Sequence, residues 1–116
     1  MRIVVNPEAV QHARELVEGG RYRINSSWSQ NKPTPNAVTA YADAHGADAA
    51  ARWHLAFDLD APDESPARWL YPVGDFTNVH DSALRAARSR AEIDGQPELA
   101  AAAEEVLEVF YRMNAC

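Results

Sequence analysis

Hydrophobic positions recur along this chain in two rhythms, and the changes between them mark its elements. Val10, Ala13 and Val17 keep the three-to-four-residue spacing of an amphipathic helix, with Leu16 beside the stripe. Asn6 stands where an N-cap belongs and Pro7 at the first helical position, where a missing N–H is no loss. Gly19-Gly20 ends that helix, and Ile3-Val4-Val5 before it reads as a short strand. Arg21-Tyr22-Arg23-Ile24-Asn25 alternates charged with apolar residues, the pattern of a half-exposed strand. Gln30-Asn31-Lys32-Pro33 is a loop by composition, and Thr34-Pro35 opens a second helix that passes Tyr41 and ends near Gly46. Asp48 is placed to cap one more short turn.

The strand rhythm returns at Arg52-Trp53-His54-Leu55-Ala56-Phe57-Asp58, with Trp53, Leu55 and Phe57 on one face. Arg68-Trp69-Leu70-Tyr71 reads as its partner across a long acidic loop, and the Tyr22 strand is expected to join the pair. Asp75 is placed to cap a helix whose stripe runs through Phe76, Val79, Ala83, Leu84, Ala87 and Ala91, with Asp81 and Arg85 on its outer side. After the Asp94-Gly95-Gln96-Pro97 turn, a last helix turns Leu99, Ala102, Ala103, Val106, Phe110 and Met113 inward. The expected fold is therefore α+β: a small antiparallel sheet, helices on one face, and a C-terminal helical hairpin, all in a single domain spanning 1–116.

Charge narrows the function classes. The net charge is −6, which argues against broad contact with a phosphate backbone. It is unevenly spread, with residues 1–36 at +2 and residues 37–66 at −5. No apolar run reaches the ~18 residues that a bilayer requires, so no membrane association is expected. Cys116 is the single cysteine and ends the chain, consistent with a reducing, cytoplasmic setting.

Four histidines are candidates for chemistry. His12 reads as a solvated helix residue and His45 as a helix C-terminal cation. His54 lies on the strand face opposite Trp53. His80 is the best placed, with Asp75 and Asp81 near in sequence, because a carboxylate that orients an imidazole is what a general base needs. Asp75 and His80 do not share a helical face, and the candidate catalytic set is His80, Asp75 and His54. The acids of the 58–64 loop lack the glycine and terminal glutamate of a calcium loop, and no His or Cys pair has metal-ligand spacing. No serine lies in a Gly-x-Ser-x-Gly elbow, so nucleophilic catalysis has no candidate in context.

Aromatics are the remaining signal. Trp28, Trp53, Trp69, Tyr71 and Phe76 gather around the proposed strand pair, with Arg52 and Arg68 placed to stack on the indoles. Large aromatics with arginine dominate interface energetics. Trp28-Ser29, Trp53-His54-Leu55, Tyr71-Pro72-x-Gly74-Asp75-Phe76-x-x-Val79-His80 and Ala86-Ala87-Arg88-Ser89-Arg90-Ala91 together resemble a family of small, uncharacterised prokaryotic proteins. That resemblance implies a compact fold and carries no activity.

The expectation is a small non-catalytic interaction or regulatory domain that binds a protein partner or itself. Its docking surface is Trp28, Arg52, Trp53, Arg68 and Trp69, with neither cofactor nor metal. The alternative is a small hydrolase or metal-dependent enzyme centred on His80 and Asp75, and the balance lies against an enzyme. A third reading, weak nucleic-acid binding, uses Arg21, Arg23, Lys32, Arg85 and Arg88.

Overall fold

In the computed structural model, which describes residues 2–63 and 65–114, strand β1 (Ile3–Val5) turns at Asn6 into helix α1 (Pro7–Glu18). Asn6 holds the cap position, but its side chain does not cap. Its Nδ2 donates to the Ala51 and His54 carbonyls at 3.0 and 3.2 Å, and its backbone N–H to Leu55 O at 2.7 Å. A buried amide thus ties the first turn of α1 to a strand some fifty residues on, satisfying carbonyls that would otherwise be orphaned.

Strand β2 (Tyr22–Arg23) follows, then one helical turn, α2 (Trp28–Asn31), where composition suggests loop. Helix α3 (Pro35–His45) starts as expected, with Thr34 Oγ1 accepting the Ala37 N–H at 3.1 Å. Helix α4 (Ala47–Ala51) leads into strand β3 (His54–Asp58). A 3₁₀ turn at Pro66–Arg68 precedes strand β4 (Trp69–Pro72). Strand β5 (Val79–His80) runs directly into helix α5 (Asp81–Ile93), and helix α6 (Pro97–Met113) completes the order.

The antiparallel sheet has the order β1-β3-β4, with Val5 opposite Ala56 and Ala56 opposite Leu70. Its third strand is β1, not the Tyr22 strand. β2 instead pairs in parallel with β5, Tyr22 opposite Val79 and Arg23 opposite His80. The reason is local: His80 is the last extended residue before α5, and a two-residue ladder suffices to hold it there.

Helices α1, α6 and α5 form a layer against the sheet, with α5 and α6 packed as a hairpin. Their small alanines (Ala83, Ala87, Ala91 and Ala103 are buried) allow close approach. One apolar cluster joins α1, β3, α5 and α6 through Val17, Leu55, Leu84, Val106 and Phe110. Because α6 is flanked by both other helices, Leu107 and Val109 are also buried, while Met113 faces out. Asp81, expected on the outer side, is 2 % exposed at the first turn of α5.

Candidate functional site

The segment between β4 and α5 is neither helix nor ordinary strand, and it turns on Gly74. A Cβ there would lie 2.4 Å from both the Trp53 ring and Asn78 O, so only glycine lets the indole seat on this backbone. Tyr71 and Phe76 on either side adopt left-handed backbone angles, φ 60° and 68°. Non-glycine residues hold such angles at a cost of about 1–3 kcal/mol each, offset by what surrounds them. Phe76 stacks on Tyr41 at 4.1 Å and meets the Trp53 ring edge-on at 5.9 Å, while Tyr71 Oη donates to Asp94 at 2.8 Å. Burial, and then that contact with Asp94, raise the Tyr71 phenol to about 12.

Asp75 does not cap α5. Its Oδ1 accepts the Thr77 and Asn78 N–H groups at 3.0 and 2.8 Å, closing a tight turn. Its Oδ2 accepts from His80 Nε2 at 2.9 Å. Burial alone would raise the Asp75 carboxyl, but the Asn78 N–H, His80 and the Thr77 N–H together hold it below its usual range. The turn brings Asp75 and His80 together where helical spacing would not.

The other ring nitrogen, Nδ1, meets Ser26 Oγ at 2.8 Å, and Ser26 Oγ meets Ser82 Oγ at 3.0 Å. A serine, an imidazole and a carboxylate therefore form one chain. Nothing in the sequence pattern marks Ser26 or Ser82; the short β2–β5 ladder, which sets Arg23 opposite His80, carries Ser26 to the ring. Beside it, Asn25 (φ 55°) donates its N–H to Asp81 Oδ2 at 3.3 Å, and Arg85 donates to the same oxygen at 2.5 Å.

The ring nitrogens are used in the reverse of the serine-hydrolase order, in which Nε2 faces the serine and Nδ1 the carboxylate. Nδ1, the nitrogen nearer the ring's own backbone, faces the serine, so the hydroxyl lies against the main chain of its would-be base. Trp28 covers the ring at 5.5 Å. His80 is only 2 % exposed, whereas the carboxylate, which a hydrolase would bury, is 29 % exposed. Ser26 suits either state of Nδ1, donating to a bare nitrogen or accepting from N–H while its own proton turns to Ser82.

His54 is not part of the chain. Its Nδ1 donates to Ala50 O at 2.9 Å, and burial pulls the imidazole down to about 4 despite that bond. Trp69 lies beside it at 5.9 Å.

The five residues expected to form a docking surface divide. Trp53 and Trp69 are 4 % and 7 % exposed and belong to the interior, because Trp53 packs on Gly74 and Trp69 lies against His54. Arg68 stacks on Phe57 at 5.5 Å rather than on an indole, and pairs with Asp63 at 3.3 Å. Arg52 is exposed beside Glu8, and His12, expected in solvent, stands edge-on to Trp53 at 5.2 Å. Trp28 and an edge of Trp69 remain accessible from one side, each at the bottom of a depression.

Those two depressions are adjacent, with Lys32 and Pro72 lining both, and are treated together as one groove. The wider, about 460 Å³, is lined by Pro33, Pro35 and Val38 from the entry into α3, by Pro66, Ala67, Trp69 and Leu70 from the 3₁₀ turn and β4, and by the buried His54. The narrower, about 200 Å³, runs over Trp28 and Tyr71 along Ala83, Ala86 and Ala87 to Arg90. Lys32 forms none of the ion pairs made by the described residues.

Of the basic residues in the nucleic-acid reading, Arg85 pairs with Asp81, Arg88 with Glu104, and Arg21 donates to Thr77 O. Among the described residues no group of three or more His, Cys, Asp or Glu could hold a metal ion. No helix among them is long and apolar enough to cross a membrane. Cys116 and Glu64 lie outside the described residues. No protein-family model, curated protein or solved structure matches this chain.

Proposed function

We propose that this chain is a non-catalytic docking domain that holds an extended, acidic segment of a partner protein in the groove across Lys32 and Pro72. The observation that carries this reading is the groove itself: two adjacent depressions that share Lys32 and Pro72, both lined mainly by apolar and aromatic residues. Four prolines line it (Pro33, Pro35, Pro66 and Pro72), so its walls have fixed φ and little conformational freedom to lose on binding. Lys32 at the junction gives a chain of net charge −6 a local positive charge without an ion-pair partner among the described residues, which favours an acidic residue in the occupant, whereas Arg90 at the far end is already paired with Asp94 at 3.1 Å.

Selection of random twelve-residue peptides on the immobilised protein, followed by calorimetric titration, tests the reading. Selected peptides should be extended and acidic, and should lose at least tenfold in affinity to Ala86→Arg, which fills the narrow trough from an exposed position. Lys32→Glu should weaken them in a salt-dependent way. Failure to select any peptide, or binding indifferent to both variants, overturns it.

One other reading has an observation behind it, the Ser26–His80–Asp75 chain, which is the donor set of a serine hydrolase. A fluorophosphonate probe separates the two. The docking reading expects Ser26 to stay unlabelled in the folded protein, and stoichiometric labelling lost in Ser26→Ala would establish the hydrolase instead.

A further inference from the structure

The wide end of the groove contains one polar atom that the protein leaves without a partner. A carbonyl oxygen only accepts, so the bond from His54 to Ala50 O places the ring's proton on Nδ1. Burial keeps the imidazole neutral at ordinary pH, which leaves Nε2 bare. Nε2 has no hydrogen-bond partner among the described residues. His54 lines the wide depression, which is the opening beside it. The residue is nonetheless only 3 % exposed, so the lone pair sits at the bottom of an apolar recess.

We infer that this recess receives a single aromatic side chain that carries one hydrogen-bond donor, a tryptophan or tyrosine of the docked segment, with its N–H or O–H given to His54 Nε2. The inference rests on the docking reading and names the residue that the groove selects. An apolar recess with one acceptor rejects a carboxylate, which has no proton to give. It rejects an ammonium, which would be buried without a counter-charge. A serine hydroxyl would reach the acceptor but bring almost no apolar surface against the prolines, Val38 and Leu70 that line the recess. An indole or a phenol fills space and donates once, and Trp69 beside His54 offers it a ring to pack on.

The test uses two isosteric probes, N-acetyl-tryptophan amide and the N-acetyl amide of 3-benzothienylalanine, in which sulfur replaces the indole N–H. Binding is followed by two-dimensional amide NMR on the full chain. The tryptophan probe should bind about tenfold tighter, the effect of one hydrogen bond to a desolvated acceptor. In wild type its addition should shift the His54 Nε2 nitrogen resonance, a readout that needs no variant. His54→Phe should reduce the discrimination to about onefold, and Ala67→Trp, at an exposed wall position, should block both probes.

Equal binding of the two probes, an unmoved Nε2 resonance, or binding that survives Ala67→Trp overturns the inference. Peptides that bind the groove without a tryptophan or tyrosine and ignore His54→Phe would sink this inference and leave the docking reading standing. Tryptophan amide that binds as described while no peptide does would sink the docking reading and leave the recess.

Discussion

His80 and His54 are hidden to the same degree, yet their surroundings are opposite in kind. Both nitrogens of His80 are held, one by Ser26 and one by Asp75, and the ring joins the β2 loop, the 74–78 turn and the start of α5. His54 has one nitrogen held, and the depression it lines is otherwise made of prolines, Val38, Ala67, Trp69 and Leu70, with Lys32 the one charged side chain. A polar group with every valence satisfied holds a fold together; one left with a free lone pair in apolar surroundings is stable only as a neutral ring, and it is open to a ligand. The difference separates a knot from a site, although residue type and burial are the same.

Trp53 stands between the two regions, its ring on Gly74 and its edge toward Phe76, which also borders His54 at 6.5 Å. Breaking this shared wall should damage both. Trp53→Ala is expected to cost about 4 kcal/mol in denaturant titrations, as large aromatic deletions do. Gly74→Ala attacks the same contact from beneath and should cost about 3 kcal/mol, because the added methyl overlaps a ring and a carbonyl whose bond to the Asp75 N–H fixes the turn.

Acid should separate the regions. The folded His54 titrates at about 4, below its ordinary 6.5, so as pH falls the unfolded chain takes up that proton first. Stability is therefore complete above the higher value and is lost as pH drops toward the lower one, by about 3 kcal/mol in all. Denaturation midpoints measured from pH 7 to 4 should show this loss, and His54→Phe should remove most of it, leaving the part due to His12, whose imidazole burial also lowers. A loss undiminished in His54→Phe would mean that another group carries it.

His80→Phe should act differently. It leaves Ser26 with only Ser82 and releases Asp75 to solvent, for about 2 kcal/mol at neutral pH. The acid loss between pH 7 and 4 should survive in this variant, since His54 is untouched. Were His80→Phe instead neutral at pH 7, the knot would contribute nothing to the fold.

The two regions also differ in how far they were legible. Helix stripes are periodic, so α1, α5 and α6 follow from Val10, Leu84 and Val106 and their spacing; the Trp53 and Trp69 strands follow from alternation. The Asp75–His80 contact was nominated from proximity in sequence, but it depends on a turn that only Gly74 permits, which periodicity does not encode. Ser26 was invisible because a two-residue parallel ladder is too short to leave a pattern. Asp81 was misplaced for a related reason: the position that helical phase sets outward is covered by the Asn25 loop. The groove was hidden in a different way, since Pro33, Pro66 and Pro72 read as loop punctuation until three segments converge. The chemistry of Trp53 and Trp69 suggests a surface, whereas Gly74 beneath Trp53 makes it core and Trp69 keeps only an edge on the groove.

The finest test of the contrast is Asp75→Asn. The amide oxygen still accepts from Thr77 and Asn78, so the turn should persist. Its NH₂ now faces His80 Nε2, however, and a donor there requires a bare nitrogen, so the ring's proton must move to Nδ1 and be given to Ser26. Ser26 accepts it by turning its own hydroxyl to Ser82, so every group stays paired in the rearranged chain. Because the carboxylate is partly exposed and solvent-screened, the change should cost no more than about 1 kcal/mol. The sign in acid follows from the direction of the shift. Asp75 is held below its ordinary 3.8, so its contribution is whole above that value and lost only as pH falls through the lower, folded one. That window adjoins the lower end of the one set by His54, and Asp75→Asn should reduce the loss below pH 3.8 while leaving the loss above it unchanged. Nitrogen NMR of His80 should report the exchanged tautomer while the His54 resonances stay in place. If His80 kept its Nε2 proton in Asp75→Asn, the carboxylate would not be what orients that ring, and the knot would be held by packing from Trp28 and Val79 instead.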